Sequence, residues 1–255
     1  MSNTDIHIEL DLNRPAYCFQ SKDDSEEETN INFDFEKCRL FMPIAKLNDK
    51  LFVKIEERLA KEAMRQFYTA TQIDTYSIST GSKKANFDCI ATGFNCSRLF
   101  CLLQETDRLQ GKFSLNSLKF PRVFNHHNNQ AFMLEDIKVT LAGNEIEGLA
   151  MDRSIKTFRD QYYRLMELTR QNTGKNSCAI TYRDFQHHAL FLVYDLTASL
   201  NQTDAPLLPL VRQGHLRVEL EFSDPSTCPM TLITLVELPS ALTLESSGKC
   251  TVTSV

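Results

Sequence analysis

Three features that would assign this chain to a membrane, a secretory route or a nucleic acid are missing. No apolar run approaches the ~20 residues of a membrane-spanning helix, and the longest candidates, such as ALFLVY at 189–194, have strand length. The opening MSNTDIHIELDLNRP is polar and acidic, unlike a signal peptide. The net charge of −5 gives no general attraction to nucleic acid or anionic lipid. We therefore expect no membrane segment and no specific nucleic-acid binding.

Catalytic signatures are also absent. The sequence contains no G-x-S-x-G motif, no P-loop and no dinucleotide-binding fingerprint. Only the pairs His126-His127 and His187-His188 hint at a metal. Neighbouring strand residues point to opposite faces, and no C-x-x-C or H-E-x-x-H accompanies these pairs, so we expect loop histidines and no metal or other cofactor. The sequence predicts a protein that packs and assembles and does not catalyse a reaction.

The eight cysteines are scattered along the chain and show no C-x-x-C spacing. Because no export signal is visible, reduced thiols are expected. Cys96 and Cys101 bracket a predicted strand. A nucleophilic cysteine needs a nearby base and a lowered pKa, and neither is visible in the sequence, so buried strand thiols are the expectation.

Hydrophobic periodicity predicts about nine strands and two helices. Helical spacing of apolar residues marks 48–63, which Asn48 or Asp49 can cap, and 151–174. Strand and helix do not alternate regularly, so the predicted fold class is all-β, an antiparallel jelly-roll sandwich with two helices inserted in loops, as a single domain over 1–255. Alternation or β-branched and aromatic composition marks the strands at 6–12, 35–47, 66–79, 85–94, 97–106, 131–146, 189–196, 214–222 and 230–237.

The last two predicted strands differ in charge pattern. In GHLRVELEF, Arg217, Glu219 and Glu221 share one face, and apolar residues ending at Phe222 share the other. Such a strand has one core side and one side that meets water or a partner. MTLITLVE is broken only by Thr231 and Thr234 and is expected to be more enclosed. Because only a short loop separates the two runs, we interpret them as a hairpin.

Candidate interface residues lie in two places. The long helix carries Phe158, Tyr162 and Tyr163, which suit packing or an interface, and the loop DAPLLPL carries Pro206 and Pro209. The arginines, Arg98 among them, are distributed as on a solvated surface. The step Asp195-Leu196-Thr197 is expected to cap a loop, because Asp and Thr side chains bond nearby backbone N–H groups.

The segment 189–222 resembles part of the double-jelly-roll major capsid proteins of Polinton (Maverick) elements and adintovirus-like relatives. That family shows an aromatic-rich strand, Asp-Leu-Thr, a loop and N-L-V-R-x-G-x-x-R-L-E-x-x-F. MTLITLVE at 230–237 stands where the family has its last strand, and weaker matches begin at IELDLNRPAYCF, 8–19. The matching residues are Asp195, Leu196, Thr197, Leu200, Leu210, Val211, Arg212, Gly214, Arg217, Glu219 and Phe222.

The resemblance implies the carboxyl-terminal jelly roll of a protein usually about twice as long. The first jelly roll is absent, which implies a fragment, a trimmed form or a degenerate copy. The implied function is a structural virion protein without cofactor, assembled inside the cell, whose partners are further copies (a homotrimer in the full-length form) and other capsid proteins. Two alternatives stay open: a cellular binding module domesticated from such an element, and a cupin-type enzyme, whose metal would need inward His and Glu residues that the sequence does not show.

Overall fold

The computed structural model describes residues 8–10, 39–41, 48–88, 90, 96–109, 134–146, 149–150, 155–169, 180–182, 185, 191–197, 214–245 and 249–254. Within them, ten strands and three helices follow one another along the chain. The helices are α1 (Asp49–Lys61), α2 (Thr106–Leu109) and α3 (Ile155–Leu168). The strands are β1 (Met64–Ile78), β2 (Lys84–Phe87), β3 (Arg98–Glu105), β4 (Leu134–Leu141), β5 (Asn144–Glu145), β6 (Leu149–Ala150), β7 (Leu192–Asp195), β8 (Leu216–Phe222), β9 (Met230–Leu244) and β10 (Cys250–Ser254).

The strands form two antiparallel sheets. The first has the order β1-β9-β3-β7, with β10 also paired to β9. The second has the order β2-β8-β4-β5, with β6 also paired to β4. The pairs are nested along the chain: β1 with β9, β2 with β8, β3 with β7, and β4 with β5. Successive pairs lie alternately in the first and the second sheet. This is the arrangement of a jelly roll, so the predicted fold class is confirmed.

The predicted hairpin of the last two long strands is wrong. β8 lies in the second sheet and β9 in the first, so the loop 223–229 crosses from one sheet to the other. The loop is held by the neighbouring crossing between β1 and β2: Gly81 N donates to Ser226 O at 2.7 Å, and Ser226 N donates to Ser82 O at 3.0 Å. Alternating charge specifies which face of a strand is buried but not which strand it pairs with, and the sequence interpretation took the wrong partner.

The core lies between the sheets. In β8 every second residue is buried, and the residues between are half-buried, as the charge pattern predicts. β9 is more enclosed, with Thr231 and Thr234 both buried, also as predicted. Each fully buried large apolar side chain contributes roughly 1.5–3 kcal/mol relative to an exposed one. The largest fully buried side chains are Tyr194, Phe185, Phe222, Ile90, Leu99, Ile137, Leu141, Leu196, Leu216, Leu220, Met230 and Leu232.

The first sheet overruns the second. β1 and β9 each have 15 residues and pair along their whole length, whereas β8 has 7. In β1, residues 64–69 are all exposed, and only from Ala70 onward do half-buried residues alternate with exposed ones. The far end of β9 pairs with β10 on its other edge. We call the uncovered end, formed by 64–69, 242–244 and 250–254, the extension.

Several predicted elements are shorter or different. Within the predicted strand 6–12, the described residues Ile8–Leu10 form no strand and both apolar side chains are exposed. Residues 39–41 of the predicted strand 35–47 are likewise not in a strand. The prediction 131–146 is a strand, a turn at Ala142 and Gly143, and a short return strand. Alternation makes a segment suitable for a sheet, but a strand also needs a partner edge, which a single segment does not reveal.

The two predicted helices are confirmed, because α1 and α3 lie within the predicted ranges 48–63 and 151–174. Asn48 caps α1, because its Oδ1 accepts a hydrogen bond from Lys50 N at 3.0 Å. No residue of α1 is buried, and its apolar Leu51, Phe52 and Val53 are exposed. Among the described helices, none is long and apolar enough to cross a membrane.

Candidate functional site

The Asp195–Thr197 step closes the end of β7. Asp195 Oδ1 accepts hydrogen bonds from Thr197 N at 2.9 Å and from Thr197 Oγ1 at 2.7 Å. Leu196 is buried, and its N–H donates to Ser97 O at 3.0 Å. The side chain of Asp195 therefore turns the chain out of the sheet, as the sequence predicts, and its hydrogen bonds are those of a structural cap.

Arg98 connects two strands and a helix, a role that the sequence did not predict. Its Nε donates to Glu237 Oε2 at 2.5 Å, and its Nη1 donates to Leu168 O, at the end of α3. The guanidinium also lies 5.8 Å from the centre of the Phe100 ring. Both charged side chains are largely buried, so the prediction that Arg98 is solvated is wrong. The arginine joins β3, β9 and the carboxyl end of α3, where a cation also complements the helix dipole.

Gly214 permits a close approach before β8. A Cβ added there would lie 2.4 Å from the Ala142 Cβ and 2.7 Å from the Ala142 Cα. Ala142 has φ 53° and Gly143 has φ 79°, so both central residues of the turn between β4 and β5 are left-handed. Ala142 N donates to His215 O at 3.2 Å. The glycine of the predicted motif therefore lets the segment before β8 pack directly on this turn.

A mixed-charge surface covers the outer face of the second sheet. Lys84 of β2 is in register with Glu221 of β8, and Nζ lies 3.0 Å from Oε1. Arg217 Nε lies 3.2 Å from Asp88 Oδ1 and 2.8 Å from Glu219 Oε1, although its N–H points at neither closely enough for a regular hydrogen bond. On the other side of β8, Asp136 of β4 is paired with Glu221, and Lys138 of β4 is paired with Glu219.

These pairs are partly solvated, and exposed ion pairs contribute only ~0–1 kcal/mol each. The β8 charged face, as we call it, therefore adds little to the stability of the fold. It has three cations and four carboxylates, which suits a partner of mixed charge and gives no basic track for a phosphate backbone. The residues that define it are Lys84, Asp88, Asp136, Lys138, Arg217, Glu219 and Glu221.

The predicted interface residues of the long helix lie in different environments. Tyr162 belongs to an internal aromatic cluster: its ring centre lies 5.5 Å from both Tyr182 and Phe185, and its hydroxyl donates to Ile180 O at 3.0 Å. Of the two predicted roles, Tyr162 therefore fits packing. Tyr163 is exposed. Arg212, Pro206, Pro209 and the side chain of Phe158 lie outside the described residues.

The strand thiols lack the features of nucleophiles. Burial raises the pKa of Cys96 to about 11 and that of Cys101 to about 12. Because the thiolate is the reactive form, both thiols are protonated and unreactive near neutral pH, as expected from the sequence. No group of three His, Cys, Asp or Glu residues that could hold a metal occurs in the described part of the chain. The two histidine pairs lie outside it.

The extension is the second feature that the sequence did not reveal. Met64 and Tyr68 of β1 and Leu242 of β9 are exposed on the face that, further along the same strands, lines the core at Leu232 and Val236. Val252 of β10 is in register with Leu242 and is 63% exposed. The length of β1 was the available signal, because a 15-residue strand extends beyond an opposite sheet whose strand β8 has 7 residues.

Comparisons with known proteins found similarity between this chain and solved structures. No protein-family model and no curated protein matches the chain. It is similar to a 3.5 Å cryo-EM structure of the Sputnik virophage, with 10% identity, a TM-score of 0.41, and coverage of 75% of this chain and 39% of that chain. It is also similar to the quasi-atomic model of the PBCV-1 virus capsid, with 10% identity, a TM-score of 0.46, and coverage of 80% of this chain and 54% of that chain. For the crystal structure of the mavirus major capsid protein, the identity is 8%, the TM-score is 0.35, and the coverage is 74% of this chain and 41% of that chain.

The chain therefore spans 39% to 54% of the length of these structures. Their TM-scores are low, and the jelly-roll assignment is drawn from the strand order and register of the chain itself.

Proposed function

We propose that this chain is a structural capsid protein that forms capsomers by jelly-roll packing and does not catalyse a reaction. It is a single jelly roll that corresponds to the carboxyl-terminal half of a double-jelly-roll capsid protein of the Polinton and adintovirus type. Its partners are further copies, as a homotrimer in the full-length form, and other capsid proteins. It acts in the virion after assembly inside the cell.

One observation carries the proposal: the capsid-like motif coincides with the parts that close the jelly roll. Asp195 and Thr197 end β7, Gly214 packs on the β4–β5 turn, and Phe222 is buried at the end of β8. Asp195 and Thr197, whose oxygens a catalytic site could use, instead form a cap, while Gly214 and Phe222 make a close contact and a core position. Motif residues with structural tasks suit a protein whose function is its shape.

The mechanism is geometric. A rigid sandwich presents fixed surfaces to its neighbours, and specific interfaces commonly bury ~1,200–2,000 Å². Two surfaces suit such contacts: the β8 charged face, where Arg217 and Glu219 add little to folding, and the apolar extension. The first provides electrostatic selection of the partner, and the second provides burial.

The test is co-expression of this chain with a polypeptide that contains the amino-terminal jelly roll of the same family. Light scattering and negative-stain electron microscopy should show trimers or closed shells. A strictly monomeric product, alone and in co-expression, would contradict the proposal.

A further inference from the structure

In the part of the chain that the structure describes, β1 is a long, open sheet edge. One side of the strand pairs with β9, and no other described strand pairs with its outer side. Alternate residues of such an edge turn their N–H and C=O groups outward, ready for another strand. At ~3.4 Å per residue, its 15 residues offer an edge about 50 Å long.

Protection of this edge is slight. The strand MRQFYTATQIDTYSI contains no proline or lysine, residues that commonly blunt an edge, and its only charges are Arg65 and the inward-pointing Asp74. Its two most exposed apolar residues, Phe67 at 52% and Ile73 at 63%, lie on the outer face of the sheet. Asp74 lies on the other face, half-buried, and its Oδ2 accepts a hydrogen bond from Gln72 Nε2 at 2.7 Å. A strand that pairs here must therefore match apolar residues on one face and a carboxylate on the other.

We propose that the occupant of this edge is β1 of a second copy, paired antiparallel about a twofold axis midway between the two Ala70 residues. Such an axis stands perpendicular to the sheet, so each residue meets one that points to the same face. Phe67 then lies opposite Ile73 of the second copy, and this contact occurs twice. On the other face, Gln66 lies opposite Asp74 of the second copy, where an amide N–H donates to the carboxylate.

Self-complementarity selects this register. With the centre one residue away, at Thr69 or Thr71, Ile73 would face Arg65 or Thr69 instead of Phe67. The centre at Ala70 also places no two like charges opposite each other, since Arg65 meets Thr75. Aromatic and β-branched cross-strand pairs each contribute roughly 0.2–1 kcal/mol beyond alanine, so the doubled Phe67–Ile73 contact favours this pairing.

The same register places the exposed end of β1 in one copy beside the partly covered half of β1 in the other. Residues 64–69, exposed throughout, lie opposite 71–76, which belong to the half of β1 with alternating burial. Each extension thus lies beside the sandwich of the other copy, and the two first sheets join into one. The inference deepens the proposed function, on which its biological role rests, by naming a second copy as the partner of this edge.

The first test is sedimentation velocity of the whole chain over a range of concentrations. The variant Ile73→Lys places a charge opposite Phe67 and should weaken dimerisation at least tenfold. Val53→Lys is the matched control, because Val53 is also a β-branched residue more than half exposed but lies on α1, outside β1 and the extension; its dimerisation should be unchanged. A wild-type chain that remains monomeric at every concentration, or equal weakening by both variants, would overturn the inference.

The second test fixes the register by oxidative cross-linking. In the proposed dimer, the two Ala70 Cα atoms lie ~4.5–5.5 Å apart, within disulfide range, so Ala70→Cys should form a covalent dimer. In Gln72→Cys the new thiols would be four residues out of register, ~13 Å apart, and should not cross-link above the wild-type background. Equal cross-linking of both variants would overturn the register.

Electron microscopy of the co-expression samples separates this inference from the proposed function. Dimers cross-linked at position 70 without any particles would leave the inference standing and count against the capsid function. Particles with neither cross-linking nor sensitivity to Ile73→Lys would retain the capsid function and remove this interface.

Discussion

The two halves of the long strand pair β1–β9 share one hydrogen-bonded ladder, yet their environments differ. Near Ile78 and Met230 the inner face is covered by the second sheet and both residues are buried. Near Met64 and Leu244 the same face continues without that cover, and Met64 is exposed. Backbone pairing is equal in the two halves, so the difference comes from the second sheet. The sandwich stabilises the fold, and the uncovered end leaves exposed the apolar surface that we propose as an assembly contact.

The largest expected effect is a comparison of two phenylalanines. Phe222→Ala removes a fully buried ring from the sandwich and should lower the free energy of unfolding by about 3–5 kcal/mol. Phe67→Ala removes a ring that is half-exposed on the extension and should change the stability of the monomer by less than ~0.5 kcal/mol. Urea unfolding at low protein concentration measures both. Equal losses would mean that the Phe67 ring is packed as tightly as the core.

The packing of Gly214 gives the next effect. Gly214→Ala forces a Cβ into Ala142 and should cost about 1–3 kcal/mol in urea unfolding. Ala142→Gly alone should be close to neutral, because the residue has φ 53° and glycine adopts that conformation without strain. The double variant should regain part of the loss, since the Cβ–Cβ clash is gone while the Ala142 backbone remains close. No recovery would show that the clash is not the cause.

Two arginines sharpen the contrast between a buried and a solvated charge. Arg98→Gln removes hydrogen bonds to Glu237 and to the end of α3 and should cost about 2 kcal/mol. Arg217→Glu, on the β8 charged face, should cost under ~1 kcal/mol and still impair assembly. Thermal unfolding and light scattering read the two properties separately. An unfolded Arg217→Glu chain would show that this face is buried.

The smallest expected effect is a pH dependence inside the sandwich. The pKa of Cys101 is raised from 9.0 to about 12, so above pH 9 the unfolded thiol ionises while the folded one retains its proton. The contribution of this thiol to stability is complete below pH 9 and declines as the pH rises toward 12. Between pH 8 and 10 the wild type should lose about 1 kcal/mol more than Cys101→Val. Identical pH profiles would place the thiol in contact with water.

The sequence predicts local properties better than partners. Burial alternation in β8, the Asp195 cap and the buried thiols follow from spacing and side-chain chemistry, and all are present. The partner of β8 was mistaken, because a strand of given polarity fits either sheet. Arg98 was missed because its partner Glu237 is 139 positions away and nothing local marks the pair. The extension was missed because cover is a property of the other sheet.

Hydrogen exchange at two protein concentrations, 100-fold apart, tests the central claim most directly: the sandwich is closed within one copy and β1 is completed by another. Amides of β8 and of residues 230–237 should be protected equally at both concentrations. In β1, the amides paired with β9 should behave likewise, and the remaining amides between 64 and 76 should gain protection at the higher concentration. Exchange in β1 that is independent of concentration would contradict the account.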